Sequence, residues 1–136
     1  MKVELAIDGG GIPLAAVSAA ANVAEVDLAE PVLEDLPFPL EKPVPVVADK
    51  AYDSDPLRQC LATKGFELIC PHRHNRQRPA TVDGRKLRRY KRRWLVERTN
   101  AWLHNFRRVV TRWEFHSFIY HGFVQLACAF IALGRF

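Results

Sequence analysis

Apolar and polar residues alternate from Val3 to Ala6, and the alternation stops at Asp8-Gly9-Gly10-Gly11. A two-residue period followed by glycines predicts a strand and a tight turn. Residues 12–17, extending towards Asn22, would return as the hairpin partner, although alanine forms strands poorly. Leu28, Val32, Leu33 and Leu36 have helical spacing and predict a helix over 26–36, with Pro31 tolerated only near its first turn. Val44-Pro45-Val46-Val47-Ala48 is a short apolar run ending at Asp49 and predicts a buried strand. Ser54-Asp55-Pro56 has the chemistry of a helix start, and Leu57, Leu61 and a closing Gly65 complete that helix. Residues 66–70 predict another strand, closed by Pro71. Turn residues and charge make 72–84 an exposed loop. The strongest helical pattern runs from Leu87 to about Phe106. A second helix over 115–133 reads as mostly buried, its phenylalanines covering the sheet.

The order strand, strand, helix, strand, helix, strand, loop, helix, helix predicts one α/β domain over residues 1–136. Its sheet would be mixed, since the first strands can pair as a hairpin while later ones need helical crossovers. Charge is distributed unevenly along this order. Residues 1–71 carry 12 acidic and 5 basic side chains, whereas residues 72–113 carry 14 basic and 2 acidic ones. Such asymmetry points to a polyanionic partner. Three cysteines, with no CxxC pair, indicate neither a disulfide scaffold nor a zinc ribbon. The start of the chain lacks the pattern of a secretion signal, and the apolar stretch 123–133 is too short to span a bilayer. The expectation is a reduced, soluble, intracellular protein with no membrane partner.

Candidate chemistry lies in three carboxylates. Asp8 and Asp49 each follow an apolar strand, and parallel neighbouring strands would bring both to one end of the sheet, where open α/β sheets place ligands. Ordinary turn or capping roles for either Asp remain open. On the long helix, positions spaced at about 100° per residue place Leu95, Val96, Trp102, Leu103 and Phe106 on one face. Tyr90, Arg93, Glu97 and His104 fall within a stripe about 60° wide on the other side. Glu97 sits among Arg92, Arg93 and Arg98, so a simple surface pairing with Arg93 is the competing reading. Three converging carboxylates would repel one another without a cation. Oxygen-only ligation suits Mg²⁺ or Mn²⁺, and two such ions about 3.5–4 Å apart can activate water and stabilise the leaving oxygen of a phosphodiester. A basic neighbouring helix would hold the DNA backbone.

Several segments together resemble insertion-sequence DDE transposases, with the insertion sequence 5 type as the nearest group. They are Ile7-Asp8-Gly9-Gly10-Gly11-Ile12-Pro13-Leu14, Ala21-Asn22, Ala48-Asp49-Lys50-Ala51-Tyr52-Asp53 and Arg93-Trp94-Leu95-Val96-Glu97-Arg98-Thr99, followed by Ala101-Trp102-Leu103 and Phe106-Arg107-Arg108. The resemblance covers nearly the whole chain. It implies an RNase H-like, retroviral-integrase-like fold, with a mixed sheet flanked by helices. It also implies that Asp8, Asp49 and Glu97 are the catalytic, metal-binding residues for strand cleavage at element ends and strand transfer. Tyr90 and Arg93 match the family's helix signature, whereas His104 stands where lysine is usual and would bind phosphate only as the protonated imidazole. Ala51 replaces a frequent glycine. Relatives usually carry an N-terminal helical DNA-binding region before the first strand. Its absence here would mark the second frame of a frameshifted element or a truncated copy.

The expected partners are double-stranded DNA at the element ends and target, with a homo-oligomer as a further expectation, in the nucleoid-associated cytoplasm. Arg73, Arg76, Arg88, Arg89, Lys91, Arg92, Arg107 and Arg108 would guide the duplex, while Tyr90, Arg93 and His104 steady phosphates. A non-catalytic basic DNA-binding remnant of a transposase is the competing function, and a plain hydrolytic nuclease of the same fold is a third. Cys70-Pro71-His72-Arg73-His74 reads as loop chemistry, Asp55 as a helix start and Trp102 as core. Trp94 is open between core and base stacking.

Overall fold

In the computed structural model, which describes residues 1–134, the opening alternation becomes strand β1, Lys2–Ile7, paired antiparallel with β2, Pro13–Ala19. The register shifts between Ala6 and Ile7, placing an irregularity immediately before Asp8, a position where bulges re-aim side chains. Pro13 is tolerated as the first residue of its strand. This hairpin belongs to a compact unit made of Met1–Pro37 and the chain from Trp94 onward; a second unit spans Phe38–Arg93.

In the first unit, a 3-10 turn at Glu25–Leu28 leads into helix α1, Ala29–Glu34, with Pro31 near its start as its missing N–H requires. Ala29, Val32 and Leu33 are its buried residues. Helices α3 (Trp94–Leu103), α4 (Arg107–Val110) and α5 (Ser117–Leu133) complete the unit. Leu5 and Ala16, partners across the hairpin, join Leu103, Val109, Tyr120, Val124 and Ala127 in one core. The buried Tyr120 hydroxyl is satisfied by donating to the Val109 carbonyl at 3.0 Å.

Helix α5 departs from the expected burial. Tyr120, Val124 and Ala127 are buried, but Phe118, Ile119, Leu126, Phe130 and Leu133 are exposed. Its 17 residues include no Asp, Glu, Lys or Arg, so no charge marks a solvent side, and only one stripe packs into the core. Despite its length, no helix among the described residues is long and apolar enough to cross a membrane.

In the second unit, β3 (Val44–Val47) pairs parallel with β4 (Phe66–Ile69), and helix α2, Asp55–Thr63, provides the crossover. The Ser54 hydroxyl accepts the Leu57 N–H at 3.4 Å, a cap that typically contributes about 1 kcal/mol. Gly65 adopts φ +86°, the left-handed turn that returns the chain into β4. Hydrogen bonding therefore forms two separate two-stranded ladders, one antiparallel and one parallel, rather than the single mixed sheet expected.

The long helix expected from Leu87 also differs. Lys86–Arg92 is wound as a 3-10 helix, and α-helix begins only at Trp94 and ends at Leu103. The three-residue turn aligns Leu87 with Tyr90, the half-buried members of this arginine-rich run. Tyr90 and Arg93 therefore precede α3 instead of lying within it.

Candidate functional site

Asp8 ends β1, and the turn behind it is closed on both sides. The Asp8 N–H donates to the Ile12 carbonyl at 2.9 Å, and the Gly11 N–H donates to the Asp8 carbonyl at 3.1 Å. The Asp8 Oδ1 accepts the N–H groups of Gly10 and Ile12, each at 2.8 Å. Its Oδ2 makes no hydrogen bond among the described residues. Gly11 has φ +86°, and a Cβ there would lie 2.6 Å from Arg98 Nη2.

The other side of that turn is held by α3, the helix carrying Glu97. Arg98 Nη2 donates to the Gly10 carbonyl at 2.6 Å. The fully buried Thr99 hydroxyl lies 2.7 Å from the Gly11 carbonyl and 3.0 Å from the Leu95 carbonyl one turn back. The Arg98 guanidinium sits between the rings of Trp94 and Trp102, 5.0 and 4.6 Å from their centres, a cation–π arrangement. Glu97 itself is exposed, and His104 is exposed just beyond the end of the helix. Trp102, expected in the core, is half-buried and used in this sandwich.

Asp49 ends β3 and caps a 3-10 turn at Lys50–Tyr52, its Oδ1 accepting the Lys50 N–H at 2.6 Å. The Tyr90 hydroxyl donates to Oδ1 at 3.4 Å, and Arg93 Nη1 donates to Oδ2 at 2.5 Å. Burial pushes the Asp49 carboxyl up, but the Lys50 N–H, the Arg93 charge and the Arg93 and Tyr90 hydrogen bonds outweigh it and hold the group below the usual carboxylate range. Ala51 occupies its turn without strain, because no residue other than glycine has positive φ among the described residues.

Asp53, four residues on, has a different environment. Its side chain is 2% exposed and accepts from Arg58, Arg76, the His72 ring and the Arg73 N–H. Burial alone would raise its carboxyl, but the Arg73 N–H, Arg58 and His72 bring it down to about 2. His72 Nε2 accepts the Thr81 N–H at 3.1 Å, so Nδ1 is the nitrogen that carries the proton towards Asp53. The reading of 72–84 as a loop missed this hub; several basic residues closely following an Asp was its only signal.

Two of the residues expected to guide a duplex have partners within the protein. Arg76 bridges Asp53 and Asp55 and also donates to the Arg78 and Pro79 carbonyls, leaving its side chain 12% exposed. Arg73 donates to the Lys50 and Ala51 carbonyls at 3.2 and 2.7 Å. Both act as struts of the loop. Cys70 is fully buried with its Sγ against Arg58. Arg88, Arg89 and Lys91 are exposed along the 3-10 helix, with no side-chain partner among the described residues, and Arg92 is exposed beside them. Arg107 is exposed at the start of α4, while Arg108 pairs with Glu114 at 2.8 Å.

Asp8 and Glu97 thus belong to one unit and Asp49 to the other. Among the described residues, no group of three or more His, Cys, Asp or Glu side chains is arranged to hold a metal ion. No solved structure matches the chain. The chain is 37% identical over 137 residues to a Burkholderia cepacia protein named as a transposase for insertion sequence element IS402, covering 96% of this chain and 61% of that relative. Residues 1–131 match the family described as Transposase DDE domain. With nearly its whole length matched, the chain belongs to the insertion-sequence DDE transposase family.

Proposed function

We propose that this chain is a catalytic domain of the insertion sequence 5 type, RNase H-like in fold, which opens a DNA strand at an element end and joins the freed 3′-hydroxyl to target DNA. One observation carries the reading: α3, which bears Glu97, is fastened by the next two residues to the turn that bears Asp8. Two carboxylates widely separated in sequence are therefore carried by elements that grip each other.

The donor chemistry fits a hard divalent cation. Asp8 is oriented through Oδ1 while Oδ2 stays open, and every candidate ligand is a carboxylate oxygen. Asp8, Asp49 and Glu97 would hold Mg²⁺ or Mn²⁺, as two ions. When bound, such ions supply an activated water and stabilise the leaving oxygen of a phosphodiester. Arg88, Arg89, Lys91, Arg92 and Arg107 bind DNA phosphates without reading sequence. Tyr90 and Arg93, now on Asp49, steady a phosphate close to that carboxylate, and His104 does so when protonated.

Glu97→Gln tests this reading. Mn²⁺-dependent nicking of an element-end duplex is lost while retention of the duplex on a filter stays within about twofold of the unsubstituted chain, because base-independent affinity comes from the cations. Nicking that survives in Glu97→Gln overturns the assignment. A second reading, a DNA-binding remnant without catalysis, is favoured by the Arg93–Asp49 ion pair, which satisfies that carboxylate without a metal. It predicts duplex retention with no Mn²⁺-dependent nicking in the unsubstituted chain.

A further inference from the structure

We infer that Arg98 and Thr99 are positioning residues that set the placement of Asp8 relative to Glu97 and thereby the affinity of this acidic pair for a divalent cation. The inference rests on the metal-dependent reading above and deepens it.

The turn from Asp8 to Ile12 works as a rigid plate with two functional sides. On one side its N–H groups, from Gly10 and Ile12, fix the Asp8 carboxylate. On the other its carbonyls, from Gly10 and Gly11, accept from Arg98 and Thr99. A shift of α3 along either contact therefore drags the plate, and the orientation of Asp8 with it. Glu97 precedes Arg98 directly on the same helix, so one rigid element carries both the ligand and the clasp.

Four features show that the clasp is constrained for geometry. Thr99 is the one polar residue in the buried set among the described residues, and its hydroxyl has a single proton for two nearby carbonyls. Arg98 Nε is buried without a hydrogen-bond partner, although buried polar groups are nearly always satisfied. The guanidinium is kept in this position by Trp94 and Trp102 and directed at one main-chain oxygen. Finally, Gly11 leaves the space that Arg98 enters, since a Cβ would sit 2.6 Å from Nη2.

Groups that orient a metal ligand without touching the metal typically change metal affinity by about tenfold to a hundredfold when removed. The test uses the full chain and measures Mn²⁺ binding directly by electron paramagnetic resonance, with thermal melts as a control for folding. Thr99→Val, which removes the hydroxyl at similar volume, and Arg98→Lys, which loses the planar sandwich, should each weaken Mn²⁺ binding by about tenfold. Thr99→Ser should restore it to within about twofold, because the hydroxyl rather than the methyl group makes the contact. A Thr99→Val chain that fails to fold leaves the decision to Arg98→Lys and Thr99→Ser. If the unsubstituted chain binds Mn²⁺, Glu97→Gln does not, and Arg98→Lys binds normally, the positioning role is overturned while the site reading stands. If Glu97→Gln binds Mn²⁺ as well as the unsubstituted chain, the site reading itself fails.

Discussion

The turns after Asp8 and Asp49 solve one mechanical problem with different electrostatics. Each follows a strand and is braced from elsewhere in its unit by an arginine that donates to turn carbonyls: Arg98 to Gly10 in the first, Arg73 to Lys50 and Ala51 in the second. The carboxylates themselves diverge. Among the described residues Asp8 is held by main-chain N–H groups, so it is oriented with no cationic side chain bonded to it. Asp49 is held by one main-chain N–H and by Tyr90 and Arg93, so a cationic side chain already answers its charge. A cation arriving at Asp49 has to displace an arginine; one arriving at Asp8 does not.

The sharpest way to break this comparison is Asp8→Asn. The amide oxygen still accepts from Gly10 and Ile12, so the turn and the thermal midpoint persist. Nicking should nevertheless fall about 1,000-fold or more, equivalent to about 4 kcal/mol of barrier. A large loss of stability in this variant would mean that Asp8 is a turn former and nothing else.

Asp53→Asn comes next and separates structural charge from functional charge within one unit. It removes the anion shared by Arg58, His72 and Arg76 and should cost roughly 3 kcal/mol of stability in denaturant titration, since breaking a buried pair strands its partners. Because the folded-state pKa of Asp53 is depressed to about 2, its stabilisation is complete above the ordinary carboxylate range and is lost as pH falls from about 4 to about 2. An Asp53→Asn chain should therefore show a flatter stability profile over that interval.

Smaller effects test the Asp49 side. Arg93→Ala removes the competing cation and should tighten Mn²⁺ binding by about threefold; the gain is modest because the Asp49–Arg93 pair is partly exposed and solvent screens it. Weaker metal binding in this variant would show that Arg93 supports the ligand instead of competing with it. Arg73→Ala should have the smallest consequence, a change in Mn²⁺ affinity within about twofold, because exposed contacts contribute little and the Lys50 N–H still orients Asp49.

The local elements were legible wherever short-range chemistry decides the outcome. The β1 alternation, the Ser54 cap and the left-handed Gly65 each left a distinct mark in the sequence and each is found in place. The helix expected from Leu87 was not, because the spacing of Leu87 and Tyr90 suits a three-residue turn as well as an α-helical one, and Lys86–Arg92 is wound as a 3-10 helix. The exposed stripe of α5 was hidden because the helix carries no charged residue to mark it, and large apolar side chains occur on both its buried and its exposed sides. Asp8, Asp49 and Glu97 stood out because acids at strand ends, or within a basic run, are conspicuous. Arg98 and Thr99 did not, since their role depends on a turn 88 positions away in the chain.

The uncharged α5 has a practical consequence for anyone handling this protein. If Arg88, Arg89 and Lys91 hold polyanions as proposed, stripping them calls for concentrated salt, which screens those cations. Salting-out anions such as sulfate would at the same time strengthen attraction between bare rings such as Phe118 and Phe130. The two surfaces ask for opposite solvents, and a chaotropic halide at moderate strength is the compromise that keeps the preparation both clean and dispersed.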